Sequence, residues 1–269
     1  MPVNPVNKYY ELSKLSVSHS NCYICRMHET WFNSPYYHQL YAYRDKKEAA
    51  DFIDKLIEHL HPVAGAKMLD VACGKGRHSK QLAGCSFDVT GIDLSRESIA
   101  DALKSEADNL HFYVHDMRLP FWINYFDYAF NFFTSFGYFN TQREHDNAIR
   151  TISQSLKVGG FFVMDFLNVN FSEKRGVEET QKQIGDAHYS ITKWTDTTHF
   201  YKKISVTDIG LAKPIEYTEK VSKFSLEDFQ AMFSKQDLHI TEVYGDYNFS
   251  AYDVSESPRL IMIAEKISQ

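Results

Sequence analysis

The sequence is poor in cysteine: four in 269 residues, Cys22, Cys25, Cys73 and Cys85. That is too few to staple a chain of this length, so no disulfide scaffold is expected. It contains no apolar run near the ~20 residues that span a bilayer, and its first residues hold no basic segment followed by an apolar one. No membrane partner is expected, and the expected location is cytoplasmic. An excess of positive charge is missing too, with 29 Lys and Arg against 35 Asp and Glu, a net charge of −6, and no block of five like charges. A chain that grips phosphates through clustered Lys and Arg reads differently, so no nucleic-acid partner is expected. Internal repeats and low-complexity segments are lacking as well. What the sequence does have is apolar and aromatic material, 43% hydrophobic residues with 20 Phe and 17 Tyr. That is enough for a folded core and for a pocket lined by flat π faces.

Residues 1–30 carry no sustained hydrophobic period and read as an N-terminal extension. The single CxxC within it, Cys22-Tyr-Ile-Cys25 with His19 and His28 nearby, lacks a second ligand pair, and no metal site is expected. Ala49, Phe52, Ile53, Leu56, Ile57 and Leu60 recur at helical spacing and predict a helix over residues 45–60. Strands are then predicted at 67–72, 87–93, 110–115, 127–133 and 161–167, alternating with helices. Ser95 is placed to cap one helix; Thr141 with Glu144 forms a capping box for another, which Gly159-Gly160 is expected to stop. Alternation of this kind predicts an α/β fold, a doubly wound, mostly parallel sheet of seven strands, with core residues 31–167 and 225–269. The last two strands fall at 238–244 and 259–266, after a helix starting at Ser225. Between Asn168 and Phe224 the pattern changes to β-rich pieces at 187–194, 198–206 and 215–221. This stretch reads as an inserted antiparallel element.

The chemistry concentrates in Leu69-Asp-Val-Ala-Cys-Gly-Lys-Gly-Arg77, where glycines allow a sharp turn and close backbone approach at a strand-to-helix junction. Asp93 stands 23 residues after Asp70 at the end of the next strand, suited to ribose hydroxyls, and His115-Asp116-Met117 follows after another 23. A nucleoside-type cofactor is implied, and the turn alone leaves a nicotinamide dinucleotide and S-adenosylmethionine open. Asp70 discriminates: a carboxylate beside the turn would repel a pyrophosphate and attract a sulfonium or an ammonium. The third glycine of the dinucleotide fingerprint is also absent from Gly74-Lys-Gly-Arg-His-Ser79.

Four stretches, Asp70-Val-Ala-Cys-Gly-Lys-Gly76, Gly91-Ile-Asp93-Leu-Ser95, His115-Asp116-Met117 and Phe126-Asp-Tyr-Ala-Phe-Asn131, resemble the successive motifs of class I S-adenosylmethionine-dependent methyltransferases. The resemblance implies S-adenosylmethionine as cofactor, with Asp70, Ala72, Gly74 and Gly76 around its methionine part. Asp93 and Leu94 would meet ribose and adenine, Asp116 and Met117 the adenine edge, and Asn131 the vicinity of the methyl donor. Trp31-Phe-Asn-Ser-Pro-Tyr-Tyr37 and the β insertion resemble a subgroup in which such segments cover a small-molecule pocket. Tyr37 is thereby placed beside the cofactor, with Phe136 and Tyr138 as walls on the acceptor side. No Asn/Asp-Pro-Pro-Tyr motif follows the fourth strand, which separates the chain from amino-methylating nucleic-acid enzymes. The resulting expectation is methyl transfer to a small-molecule acceptor without an identified catalytic base. A nicotinamide-dependent oxidoreductase and a non-catalytic S-adenosylmethionine-binding module are the alternatives.

Overall fold

The computed structural model describes residues 28–42 and 46–268. Cys22 and Cys25 therefore lie outside the described residues, as does nearly all of the 1–30 segment. Among the described residues, no cluster of three or more His, Cys, Asp or Glu is arranged to hold a metal, and no helix is long and apolar enough to cross a membrane.

Five parallel strands form the main sheet's centre: β1 (Lys67–Val71), β2 (Asp88–Asp93), β3 (Leu110–Val114), β4 (Phe126–Asn131) and β5 (Leu156–Leu167). Their near-continuous apolar runs are explained by helices on both faces. Helices α1 (Pro35–Tyr41) and α2 (Lys46–Leu60) precede β1, whereas α3 (Arg77–Gly84) and α4 (Arg96–Ala102) follow β1 and β2. On one face Phe52, Ile53 and Leu56 of α2, Leu82 of α3 and Ile99 of α4 pack against Met68, Val89 and Phe130. Opposite them, α5 (Gln142–Ser155) and, near the C-terminus, α7 (Leu226–Ser234) bury Ile149, Ile152, Phe229 and Phe233 against Leu69, Val71 and Phe162.

The chain leaves β5 through α6 (Val169–Glu173) and builds a second, antiparallel sheet from β6 (Glu178–Ile184), β7 (Ala187–Thr195), β8 (His199–Thr207) and β9 (Ile215–Ser222). After α7 it returns as β10 (Leu238–Tyr244) and β11 (Arg259–Lys266), giving a seven-stranded order β10-β11-β5-β4-β1-β2-β3 in which only β11 runs against the other six strands. The doubly wound sheet and the antiparallel addition are as expected from sequence.

Three local expectations need correction. Gly159-Gly160 does not stop α5: the helix ends at Ser155, Leu156 is already extended at φ −77° and ψ 146°, and the glycines sit within β5. They accommodate a bulge opposite β4, where the register jumps between Phe126 and Tyr128 and Gly159 takes φ +78°. A Cβ on Gly160 would lie 2.9 Å from the Asp127 carbonyl oxygen, so that neighbour excludes a side chain. The fourth strand stops at Asn131 rather than 133, because Phe133 and Thr134 both adopt positive φ and turn the chain out of the sheet. The second sheet has one strand beyond the three pieces named from sequence; β6 reads Glu-Glu-Thr-Gln-Lys-Gln-Ile, an edge strand too polar to announce itself by apolar alternation.

Phe112 on β3 occupies the space that side chains would take at both Gly76 and Gly91, with Cβ atoms there falling 2.5 Å and 2.7 Å from its ring. This lets α3 approach the sheet and sets the direction of the β1–α3 turn. Gly76→Ala adds strain at φ +73° to a ring collision, and its cost should be about 2–4 kcal/mol from left-handed backbone plus overpacking. Urea unfolding of the variant tests this; a midpoint equal to that of the parent would show that Phe112 moves aside freely.

Candidate active site

At the C-terminal end of the parallel strands, where open α/β sheets place their ligand crevice, a cavity opens with about 970 Å³ of space including its mouth. Its floor is the turn after β1. Ala72 takes φ +60° and Gly74 φ +56°, and no atom lies within 4 Å of where a Gly74 Cβ would stand. The turn is held by backbone bonds from Cys73 N to Ile92 O (2.9 Å) and from Gly76 N to Cys73 O (3.0 Å).

Asp93 joins the turn to the next helix. Its carboxylate accepts the Gly74 N–H at 2.9 Å and the Ser95 N–H at 2.7 Å, while Ser95 Oγ caps α4 by accepting from Ser98 N. Burial pushes the Asp93 carboxyl up, against the pull of those N–H donors. Leu94, Ile92 and Met117 add apolar surface beside it. Asp116 reaches the cavity from the end of β3, clamped by Arg118, whose Nη2 stands 2.6 Å from Asp116 Oδ2 and whose Nη1 stands 2.5 Å from Glu144. Burial acts to raise the Asp116 carboxyl, but its hydrogen bonds from Arg118 outweigh that and hold it low. Glu144 is the capping-box residue of α5, so the same clamp fixes the start of that helix.

The other wall comes from farther along the chain. Phe32, Tyr37 and Tyr41 line the cavity together with Tyr138, Phe139 and Glu219 of β9. The 31–41 segment is tied to the second sheet: Trp31 and Leu40 are buried against Tyr189, Ile191 and Ile204. Trp31 Nε1 donates to Glu219 Oε1 at 2.7 Å, and Tyr41 Oη donates to the same oxygen at 3.0 Å. A third edge is the Phe133–Ser135 turn. Fully buried Asp165 accepts Phe133 N at 2.8 Å and Arg259 Nε at 2.7 Å, while Arg259 Nη2 donates to Thr134 Oγ1 at 3.0 Å. A buried ion pair thus holds two strained residues at the cavity's rim.

Of the residues expected from sequence, the cavity gathers Tyr37, Ala72, Gly74, Asp93, Leu94, Asp116, Met117 and Tyr138. Four others do not line it. Asp70 is buried beneath the turn and accepts Ser79 Oγ of α3 at 2.6 Å. Gly76 packs on Phe112. Asn131 is fully buried and donates to Val71 O at 3.0 Å, bridging the ends of β4 and β1; its Oδ1 has no partner among the described residues. Phe136 belongs to the core under α5 and α7, against His145, Phe224 and Phe229, so it is not an acceptor-side wall. Cys73 is a buried thiol pushed far up by desolvation, a packed side chain and not a nucleophile. His78 lies buried between Phe132 and Phe133, and burial drives it down to about 3, so it is neutral.

Sequence reasoning passed over Glu219, Tyr41, Phe133 and Ser135. Glu219 had a readable signal: in Ile215-Glu-Tyr-Thr-Glu-Lys-Val221 the alternating row Ile215, Tyr217, Glu219, Val221 is apolar except for one carboxylate. The Phe133–Thr134 turn had none, because its conformation depends on Asp165 and Arg259, residues distant in sequence.

Asp70 is pushed up to about 7, chiefly by burial, with the Ser79 hydroxyl opposing and Asp93 adding repulsion. Its folded-state carboxyl therefore keeps a proton that the unfolded chain releases near pH 4. The fold loses stability as pH rises from about 4 to about 7 and no more above that. Asp70→Asn should be more stable than the parent at pH 8 by roughly 1–4 kcal/mol, at 1.36 kcal/mol per pKa unit, and the difference should shrink toward pH 5. Urea midpoints at the two pH values check this; an equal difference at both would remove the buried charge as its cause.

A family model described as "Methyltransferase domain" matches residues 62–237. A dTDP-3-amino-3,4,6-trideoxy-alpha-D-glucopyranose N,N-dimethyltransferase of Streptomyces venezuelae is 32% identical over 120 residues, covering 44% of this chain and 48% of that protein. The putative methyltransferase YqeM of Bacillus subtilis is 34% identical over 114 residues, 41% of this chain and 46% of that one. The chain thus spans about half the length of the curated relatives it matches. In fold it resembles the crystal structure of an S-adenosylmethionine-dependent methyltransferase from Clostridium acetobutylicum, with a TM-score of 0.73 at 18% identity over 98% of this chain and all of the other. With the family model spanning both the glycine turn and the strand-end carboxylates of the cavity, the chain belongs to the class I S-adenosylmethionine-dependent methyltransferases.

Proposed function

We propose that the chain moves a methyl group from S-adenosylmethionine to a small organic acceptor. One observation carries this reading: a single cavity is lined both by the strand-end groups Ala72, Gly74, Asp93 and Met117 and by an aromatic wall of Phe32, Tyr37, Tyr41 and Tyr138. The residues suit the cofactor. The open space at Gly74 permits backbone approach, Asp93 offers acceptor oxygens for ribose hydroxyls, and Leu94 and Met117 offer a slot for adenine. Among the described residues no Lys or Arg lines the cavity, which favours a sulfonium and ammonium over the pyrophosphate of a nicotinamide dinucleotide.

The cofactor supplies an electrophilic methyl group on a positively charged sulfur. What the protein must supply is an acceptor held close to that carbon and in line, in a site from which water is excluded. The aromatic wall serves the exclusion: Phe32 meets Tyr37 and Tyr138 edge to face, with centroids 5.3 Å and 5.7 Å apart. The Asp165–Arg259 pair keeps the Phe133–Ser135 turn in place beneath it. A cavity bounded by the 31–41 segment and β9 suits a modest organic molecule, and the region 168–224, with nine Lys and Arg against eight Asp and Glu, offers no excess charge to a polyanion.

Calorimetry with S-adenosylhomocysteine should show binding, and NADH should show none; the reverse pattern would leave the oxidoreductase reading standing. Asp93→Asn replaces one of the two oxygens that accept the Gly74 and Ser95 N–H groups by an NH2 group that cannot accept, and it removes a charged partner for ribose. It should weaken S-adenosylhomocysteine by about 1.5–3 kcal/mol, the scale of hydrogen bonds to a charged group. Affinity equal to the parent's would mean that Asp93 serves only the turn. Turnover of labelled donor across a metabolite panel separates an enzyme from a sensor of the cofactor.

A further inference from the structure

Glu219 lies opposite Lys202 across β8 and β9 and borders a second pocket with Lys193 and Lys202 as well as the main cavity. It lies on β9 in the row that otherwise carries Ile215, Tyr217 and Val221, and it lines the cavity at its aromatic wall. Both of its hydrogen bonds, from Trp31 Nε1 and Tyr41 Oη, go to Oε1, and none is formed by Oε2 among the described residues. Tyr41 in turn accepts from Lys202 Nζ, which also stands 4.5 Å from the centre of the Tyr41 ring. The carboxylate is thus oriented by two fixed donors while its second oxygen is left for something else. Of the other carboxylates that line the cavity, Asp93 accepts the Gly74 and Ser95 N–H groups and Asp116 is clamped by Arg118.

We propose that the methyl acceptor is an amine, and that Glu219 binds it as an ammonium and removes its proton for the transfer. The inference rests on the methyl-transfer reading above. An ammonium gains twice at this wall, from the Glu219 carboxylate and from the π faces of Phe32, Tyr37 and Tyr138, whereas a neutral hydroxyl gains nothing from the rings. Acid strength points the same way. A carboxylate is too weak a base for an alcohol, but it can take the proton of an ammonium, which must be lost before nitrogen has a lone pair to share. In the step itself the nitrogen lone pair forms the N–C bond, the C–S bonding pair passes to sulfur, and the proton released by nitrogen resides on the Glu219 carboxylate. The sulfonium becomes a neutral thioether, so charge and atoms balance.

Isosteric fragment pairs test this without knowing the natural acceptor. With the full chain saturated in S-adenosylhomocysteine, benzylamine should bind at least tenfold more tightly than benzyl alcohol, and cyclohexylamine more tightly than cyclohexanol. Glu219→Gln keeps an oxygen for Trp31 and Tyr41 but loses the charge; it should abolish the amine preference while S-adenosylhomocysteine affinity and melting temperature stay near the parent values. Tyr41→Phe, which leaves the charge, should retain most of the preference. Equal binding of amine and alcohol by the parent, including no binding of either, would overturn the proposal, as would an amine preference that survives Glu219→Gln. Failure of S-adenosylhomocysteine itself to bind would instead overturn the methyl-transfer reading. Labelled products from a small-molecule extract give the second readout: label in N-methyl groups, lost when the extract is first N-acetylated, is expected, and label in O-methyl groups would count against the amine.

Discussion

The site depends on two carboxyl groups buried at the ends of two adjacent parallel strands. Asp70 and Asp93 are each at most 9% exposed, and burial raises both. For the fold alone this is unfavourable, since desolvating a carboxylate costs more than a few hydrogen bonds return. Much of the surrounding structure is arranged to tolerate it: Ser79 on α3 faces Asp70, the N–H groups of Gly74 and Ser95 face Asp93, and the turn between them adopts positive φ at Ala72, Gly74 and Gly76 so that those groups can converge.

Asp70 and Asp93 are divided by depth. Asp93 lines the cavity, whereas Asp70 lies below the turn and acts through its grip on α3. The same division explains the glycines. Gly74 faces open space and suits a ligand's close approach; Gly76 faces Phe112 and suits helix-to-sheet contact. Two residues of one motif, two positions apart, therefore serve different masters, one chemical and one architectural.

The fold was legible because its signals are local. Apolar strands, the capping residues Ser95, Thr141 and Ser225, and the spacing of Asp70, Asp93 and Asp116 all act over a few residues or one strand-helix unit. The inner half of the site was legible for the same reason, since it hangs on strand ends. Other features resisted reading where long-range partners decide them. Phe136, for example, follows the Phe133–Thr134 turn closely enough to suggest a pocket wall, yet the turn sends it into the core against Phe224 and Phe229. Asn131 likewise reads as a group beside the methyl donor, while its amide is committed to the Val71 carbonyl.

The outer half of the site is assembled from segments that no short motif links. Trp31 and Glu219 are 188 residues apart, and Tyr41 and Glu219 are 178 apart, yet they share one carboxylate oxygen. The 31–41 segment packs on the second sheet, and Val221 and Phe224, at the end of that sheet, are buried in the main core. Cofactor-side and acceptor-side walls are thus coupled through packing and not through a hinge of their own. The carboxylate on β9 is oriented by Trp31, which precedes α1, and by Tyr41, the last residue of α1, so a change on either segment acts on the other.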